Sequence, residues 1–192
     1  MPYCGLLEMA KSGHLFSGQN QDISNIVNWY QLNTSAIEKY KGTILGSLRS
    51  EDYVPEQFIG MTAVGVIEYF DTLTKEVETS FSLSAIAAIE AKFRMDYIIR
   101  ATNRLKDTLS RDFRDIYREK GRRASLEEDI LNGWKTHHPE HKNLISNYIQ
   151  SLNYRHWLAH GRYWIPKFGR KYDFAITYVI CEEIENSIPF NY

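Results

Sequence analysis

Apolar residues recur three and four positions apart along most of the chain, the period of helices buried on one face. Ile23, Ile26, Val27, Tyr30, Ile37, Ile44, Leu45 and Leu48 form the first stripe. Asp22 is placed to cap it, and Gly42 and Gly46 weaken its end. A second stripe follows Pro55, a residue suited to a first helical turn, through Ile59, Ala63, Val66, Ile67, Phe70, Leu73 and Val77. Ser82 or Ser84 is expected to open a third helix, with Ile86, Ile89, Phe93, Tyr97, Ala101 and Leu105 on one face. That helix continues through Phe113, Ile116 and Tyr117 to Gly121, with a break near 107–110. Ser125-Leu126-Glu127-Glu128 has the spacing of a capping box, and its short helix is expected to stop near Gly133. Pro139 then starts a longer helix through Leu144, Ile145, Tyr148, Ile149 and Leu152, ending at Gly161 as a left-handed stop. Asp173 caps the last helix, which carries Phe174, Ile176, Val179, Ile180 and Ile184. Pro166 and Gly169 make 161–171 a loop or a short hairpin. No alternating run competes, so the pattern predicts an all-α bundle. Residues 1–81 are expected to form a helical extension packed on a main domain of 82–192.

Composition narrows the class. The 192 residues are 43% hydrophobic and 14% aromatic, which is globular rather than disordered. Two cysteines, Cys4 and Cys181, exclude a disulfide framework and a Cys-rich zinc module. No apolar run approaches the roughly 18 residues of a membrane span. No basic region precedes an apolar run at the N-terminus. A cytoplasmic protein that binds no membrane is expected.

The net charge of −1 hides segregation. Residues 92–123 carry 11 basic and 5 acidic side chains, and 155–171 carry five basic and no acidic ones. Residues 1–91 carry 5 basic and 11 acidic. Two short cationic blocks describe a local anion site or two solvated helix faces; charge alone does not choose.

Chemistry concentrates in Tyr154-Arg155-His156-Trp157-Leu158-Ala159-His160-Gly161-Arg162-Tyr163-Trp164. At about 100° per residue, the stripe of Ile145, Tyr148, Ile149 and Leu152 runs on into Arg155, His156, Ala159 and His160. Arg155 and His160 lie about 140° apart at its edges by the same arithmetic. An unpaired guanidinium is costly to bury, so Arg155 needs a partner or a water-filled cleft. Phosphate suits its planar fork. His160 stands where the helix ends, and imidazole exchanges protons near neutrality. An arginine and a histidine beside a phosphate suffice to cleave RNA without metal, because the substrate brings its own nucleophile, the 2′-hydroxyl. The spacing by itself has low information. A chain with 12 Arg and 6 His contains about one such pair by chance. The ordinary alternative is a surface arginine near a satisfied helix-end histidine.

The longer run Arg155-His156-Trp157-Leu158-Ala159-His160-Gly161-Arg162-Tyr163-Trp164 resembles the HEPN superfamily, whose signature is Arg, a polar residue, a few positions and His. It is most similar to the RiboL-PSP-type group. Glu90, Arg94, Asp96 and Tyr97 also match that group, as do Leu126-Glu127-Glu128-Asp129-Ile130-Leu131 and Tyr172-Asp173-Phe174. The resemblance covers roughly 82–188 and implies a HEPN-like helical bundle with extra N-terminal helices. It further implies a metal-independent endoribonuclease that leaves a 2′,3′-cyclic phosphate. Its motifs would face each other across a homodimer, so that one protomer supplies Arg155 and its partner His160. Toxin–antitoxin or antiviral defence settings follow from the same resemblance, with an antitoxin or defence-complex partner.

On that resemblance Arg155 would bind the scissile phosphate and His160 act as general base or acid. His156 would fill the polar position and orient the site; its ordinary alternative is a hydrogen-bonded core histidine. Glu90 would pair with Arg155 or His160, or be an unrelated surface carboxylate. Tyr154, Tyr163 and Trp164 are candidates to stack on RNA bases, and Arg162, Lys167, Arg170 and Lys171 to contact phosphates. Core packing and plain surface exposure are the alternatives for these.

No cofactor or metal is expected. In His137-His138-Pro139-Glu140-His141 the proline interrupts the helix that would align ligands, and the order is not H-E-x-x-H. Two other functions stay open: a module that holds RNA or a nucleotide without cutting it, and a structural helical subunit of a defence complex.

Overall fold

A pair of long antiparallel helices frames the protein. The structure is a computed structural model describing residues 16–50 and 52–191. Helix α1 (Ile23–Ser50) pairs with α2 (Ala63–Thr102), a 40-residue helix about 60 Å long at 1.5 Å per residue. The two apolar stripes face one another, and Tyr40 packs its edge on Phe70. Thr62 caps α2 through its hydroxyl, which accepts from the Gly65 N–H at 3.1 Å. The α-helix therefore starts after Pro55, which only precedes a short 3₁₀ turn at Glu56–Phe58.

The expected helix start at Ser82 or Ser84 does not occur; α2 runs unbroken through 81 and 82. Both serines bond backward instead. Ser82 Oγ donates to Glu78 O at 2.8 Å and Ser84 Oγ to Ser80 O at 3.1 Å.

Helices α3 (Thr108–Lys120), α4 (Asn132–His137), α5 (Lys142–Ala159) and α6 (Phe174–Ser187) complete the bundle around the C-terminal half of α2. Asp107 caps α3 by accepting from the Ser110 N–H at 2.9 Å, which is the break the pattern indicates. Asp173 caps α6 by accepting from the Ile176 N–H at 2.9 Å. Ser125 caps a π-helical turn, Leu126–Leu131, that leads into α4. The helix passes Gly133 rather than stopping there. A Cβ at that position would lie 2.7 Å from Phe113 Cε1, so the glycine admits the ring.

The main core joins Ile86, Ile89 and Phe93 of α2 to Phe113, Trp134, Tyr148 and Ile184 of the surrounding helices. A smaller cluster of Ile44, Phe58, Val66 and Phe70 closes the far end of the α1–α2 pair. Each fully buried aliphatic or aromatic side chain contributes about 1.5–3 kcal/mol. Among the described residues the fold is all-α, with no strand, so 161–171 is a loop. No described helix is long and apolar enough to cross a membrane.

Candidate active site

Helix α5 buries Ile145, Tyr148, Ser151, Leu152 and Tyr154. Its buried stripe ends on Tyr154, not on Arg155, because Tyr154 stacks on Tyr172 at 5.0 Å and meets Phe168 edge-on. At 6% exposure Tyr154 is a core residue, which removes it from the candidates for base stacking. Arg155 and His156 turn off the core edge into an open groove.

A two-bond glycine stop ends the helix. The Arg162 N–H donates to Trp157 O at 3.1 Å and the Gly161 N–H to Leu158 O at 3.4 Å, with Gly161 at φ +81°. Only glycine adopts this backbone without strain. The stop leaves His160 as the C-cap residue just past the helix, exposed to solvent.

The groove beside Arg155 has a volume of about 390 Å³ and lies between α2, α5 and the π turn. Glu90 of α2 stands inside it, paired with both guanidinia. Its Oε1 accepts from Arg94 Nε at 2.9 Å, and its Oε2 lies 3.4 Å from Arg155 Nη2. Arg94 also donates to Ala124 O at 3.3 Å, which fixes it to the chain entering the π turn. Arg155 Nε is buried and has no hydrogen-bond partner. An unpaired buried donor of a charged group is expensive, and an entering oxyanion would relieve it. His156 lines the same groove, and its ring centroid lies 4.2 Å from that of His160. Arg155, His156 and His160 thus form a continuous row at one solvent-facing end of α5.

The field of this groove is local. Glu90 and Glu127 balance Arg94 and Arg155 along its walls, so attraction for phosphate rests on the Arg155 fork and the imidazoles rather than on net charge.

The chain matches no protein-family model, no curated protein and no solved structure.

The remaining candidates divide. Arg162, Arg170 and Lys171 line a second cavity of about 490 Å³ on the opposite flank of α5, away from Arg155. Arg162 is held there by Glu76 in a two-pronged pair of 2.9 and 2.8 Å, which draws the Glu76 carboxyl below its usual pKa. Tyr163 is 84% exposed and packs edge-on against Trp164, which in turn lies 5.8 Å from His156. The Trp164 carbonyl accepts from Trp157 Nε1 at 2.9 Å, holding this strip against the helix end. Lys167 is exposed in the loop.

Two members of the Glu90–Tyr97 run of α2 are structural. Asp96 is fully buried, and Arg100 Nε donates to its Oδ2 at 2.8 Å. The Asn191 N–H donates to its Oδ1 at 2.8 Å, which ties the C-terminal end to α2. Burial pushes its carboxyl above the usual range even with Arg100 beside it. Tyr97 donates to Gly121 O at 3.0 Å. Arg94 and Glu127 belong to the runs that carry the resemblance, but neither is among the candidate site residues; the structure places both in the groove. Arg94 also carries a local signal, its i,i+4 spacing from Glu90; nothing in the spacing around Glu127 points to the groove.

Proposed function

We propose that the protein is a metal-independent endoribonuclease whose cleft is assembled from two copies of the chain. The carrying observation is the half-exposed Arg155 guanidinium, its buried Nε unpartnered, on an open groove that His156 also lines, with the His156 and His160 rings 4.2 Å apart. Arg155 binds non-bridging oxygens of the scissile phosphate. One imidazole accepts the 2′-hydroxyl proton as the 2′-oxygen bonds to phosphorus. The P–O5′ bond breaks, and a second imidazole protonates the leaving 5′-oxygen. A 2′,3′-cyclic phosphate and a 5′-hydroxyl result. Glu90 is a positioning residue: it holds Arg155 and Arg94 in register and leaves the pair with one net positive charge. Tyr163 and Trp164 offer rings to unstacked bases at the helix end. The resemblance to HEPN proteins supports a toxin or defence setting, with an antitoxin or defence-complex partner.

The test is incubation of purified protein with single-stranded RNA in EDTA. Cleavage leaving cyclic-phosphate ends, lost by at least a hundredfold in Arg155→Ala and in His160→Ala, is expected. Cleavage that survives both substitutions overturns the assignment. The Arg155–Glu90 pair also suits a site that only holds RNA, and binding without cleavage of any RNA assigns that function instead.

A further inference from the structure

The second cavity, between α2, α5 and the 162–173 loop, has a chemistry separate from the Arg155 groove. Helix α5 is the partition: Tyr154 and Trp157 face this cavity, whereas Arg155 and His156 face the other. Its charges are not balanced. Arg162 is neutralised by Glu76. Arg170 is held by two neutral acceptors, Asn147 Oδ1 and Gln150 Oε1, both at 3.1 Å. Lys75 and Lys171 make no ion pair among the described residues. The two carboxylates in the wall are already engaged. Glu78 accepts from the Tyr30 hydroxyl at 3.2 Å and Asp173 from the cap of α6. One positive charge is in excess, on three cations without a carboxylate partner.

A second observation is independent of charge. Tyr172 lines the cavity, is 8% exposed, and its hydroxyl is buried without any hydrogen-bond partner. A buried hydroxyl left unpaired costs free energy that a ligand oxygen would return. The guanidinium of Arg170 sits 5.8 Å from the centroid of the same ring, and Lys75 and Lys171 line the same cavity. Trp157 and Phe168 supply an apolar, flat-sided remainder. The volume is that of a small-ligand site, within the usual range of about 300–1,000 Å³.

We propose that this cavity binds a small phosphomonoester with a flat organic part, of the size of a nucleoside monophosphate. The phosphate meets Lys75, Lys171 and the Tyr172 hydroxyl, and the organic part lies along Trp157 and Phe168. This site does not depend on the ribonuclease assignment, since it shares no residue with the Arg155 groove.

Calorimetric titration of the full chain with adenosine 5′-monophosphate, adenosine, inorganic phosphate and a short single-stranded RNA tests it. The monophosphate is expected to bind one per chain and more tightly than adenosine. Tyr172→Phe, which keeps the ring, weakens it by about tenfold, and Lys75→Gln with Lys171→Gln by tenfold or more. Arg155→Ala leaves the affinity unchanged. The lysines are exposed, so their replacement leaves the core intact. Equal affinity for adenosine, loss of binding in Arg155→Ala, or no binding at millimolar monophosphate overturns the proposal. RNA that binds through Lys75 and Lys171 while the monophosphate does not also overturns it, and assigns the cavity to a nucleic-acid strand.

Discussion

Single carboxylates do most of the electrostatic work, and their titration is measurable. Burial raises the Asp129 carboxyl, but Lys120 and the Ser125 N–H outweigh it, and the result is a lowered pKa. Lys120 Nζ lies 2.8 Å from Asp129 Oδ1, and the Ser125 N–H donates to Oδ2 at 2.7 Å. A depressed acid contributes stability above its unfolded pKa of about 3.9 and loses it as pH falls toward the folded value. Urea unfolding is therefore expected to show Asp129→Asn less stable than wild type by about 1–2 kcal/mol near neutrality. The gap closes as pH falls below about 4. A gap that persists unchanged to pH 3 contradicts the assignment. At this scale the sequence is only partly legible. Asp173 is readable as a cap, and 107–110 as a break, because the acceptor and the amide it serves are three residues apart. Asp129 is not, since the capping-box pattern points to Glu128 for the Ser125 N–H, and one π turn brings Asp129 to it instead. Tyr154 fails for a similar reason: its stacking partner, Tyr172, is 18 residues away.

Helices obey the periodic pattern except where packing overrules a local signal. Ser82 and Ser84 read as starts, yet each satisfies its hydroxyl within the helix, and the apolar stripe of α2 stays continuous against α1. Gly133 reads as a stop, yet it exists to let α4 approach α3. Alanine there gains about 1 kcal/mol of helix propensity. It also drives a Cβ to 2.7 Å from the Phe113 ring, which is fully buried and cannot swing into solvent. Overpacking of this kind costs about 1–3 kcal/mol, and the clash with an immobile ring places it at the upper end. Gly133→Ala is expected to lower the urea midpoint without changing the slope of unfolding. A raised midpoint means that the α3–α4 contact yields, and that Gly133 serves no packing purpose. The glycine at the end of α5 differs, because there the pattern and the geometry agree. Gly161 terminates the helix as its position indicates, and that stop is what exposes His160.

At the largest scale the proposed chemistry turns on assembly. Helix position separates Arg155 from His160, and within one chain the His160 ring lies beside His156. In the proposed two-copy cleft, an isologous interface that brings Arg155 of one copy to His160 of the other makes the reciprocal contact as well. The angular separation is legible from residue spacing; the two-copy cleft is not, nor is the partition by α5, which depends on how α2 and the 162–173 loop pack around it. Subunit complementation separates the alternatives. Arg155→Ala and His160→Ala chains are each expected to be inactive alone. Co-expressed, about half of the dimers contain one of each, by random two-fold pairing. Such a dimer keeps Arg155 on one chain and His160 on the other, so one of its two Arg–His pairs is whole. RNA cleavage by the mixture is then expected at about a quarter of the wild-type rate. If each site instead uses the arginine and histidine of a single chain, every mixed dimer lacks one of them in both sites. The mixture stays as inactive as its parents, and the two-copy cleft is refuted while the residues themselves remain assigned. Tagging the two variants differently and purifying through both tags raises the whole population to mixed dimers. The expected rate then doubles to about half of wild type, a ratio that a change in protein folding or yield would not produce.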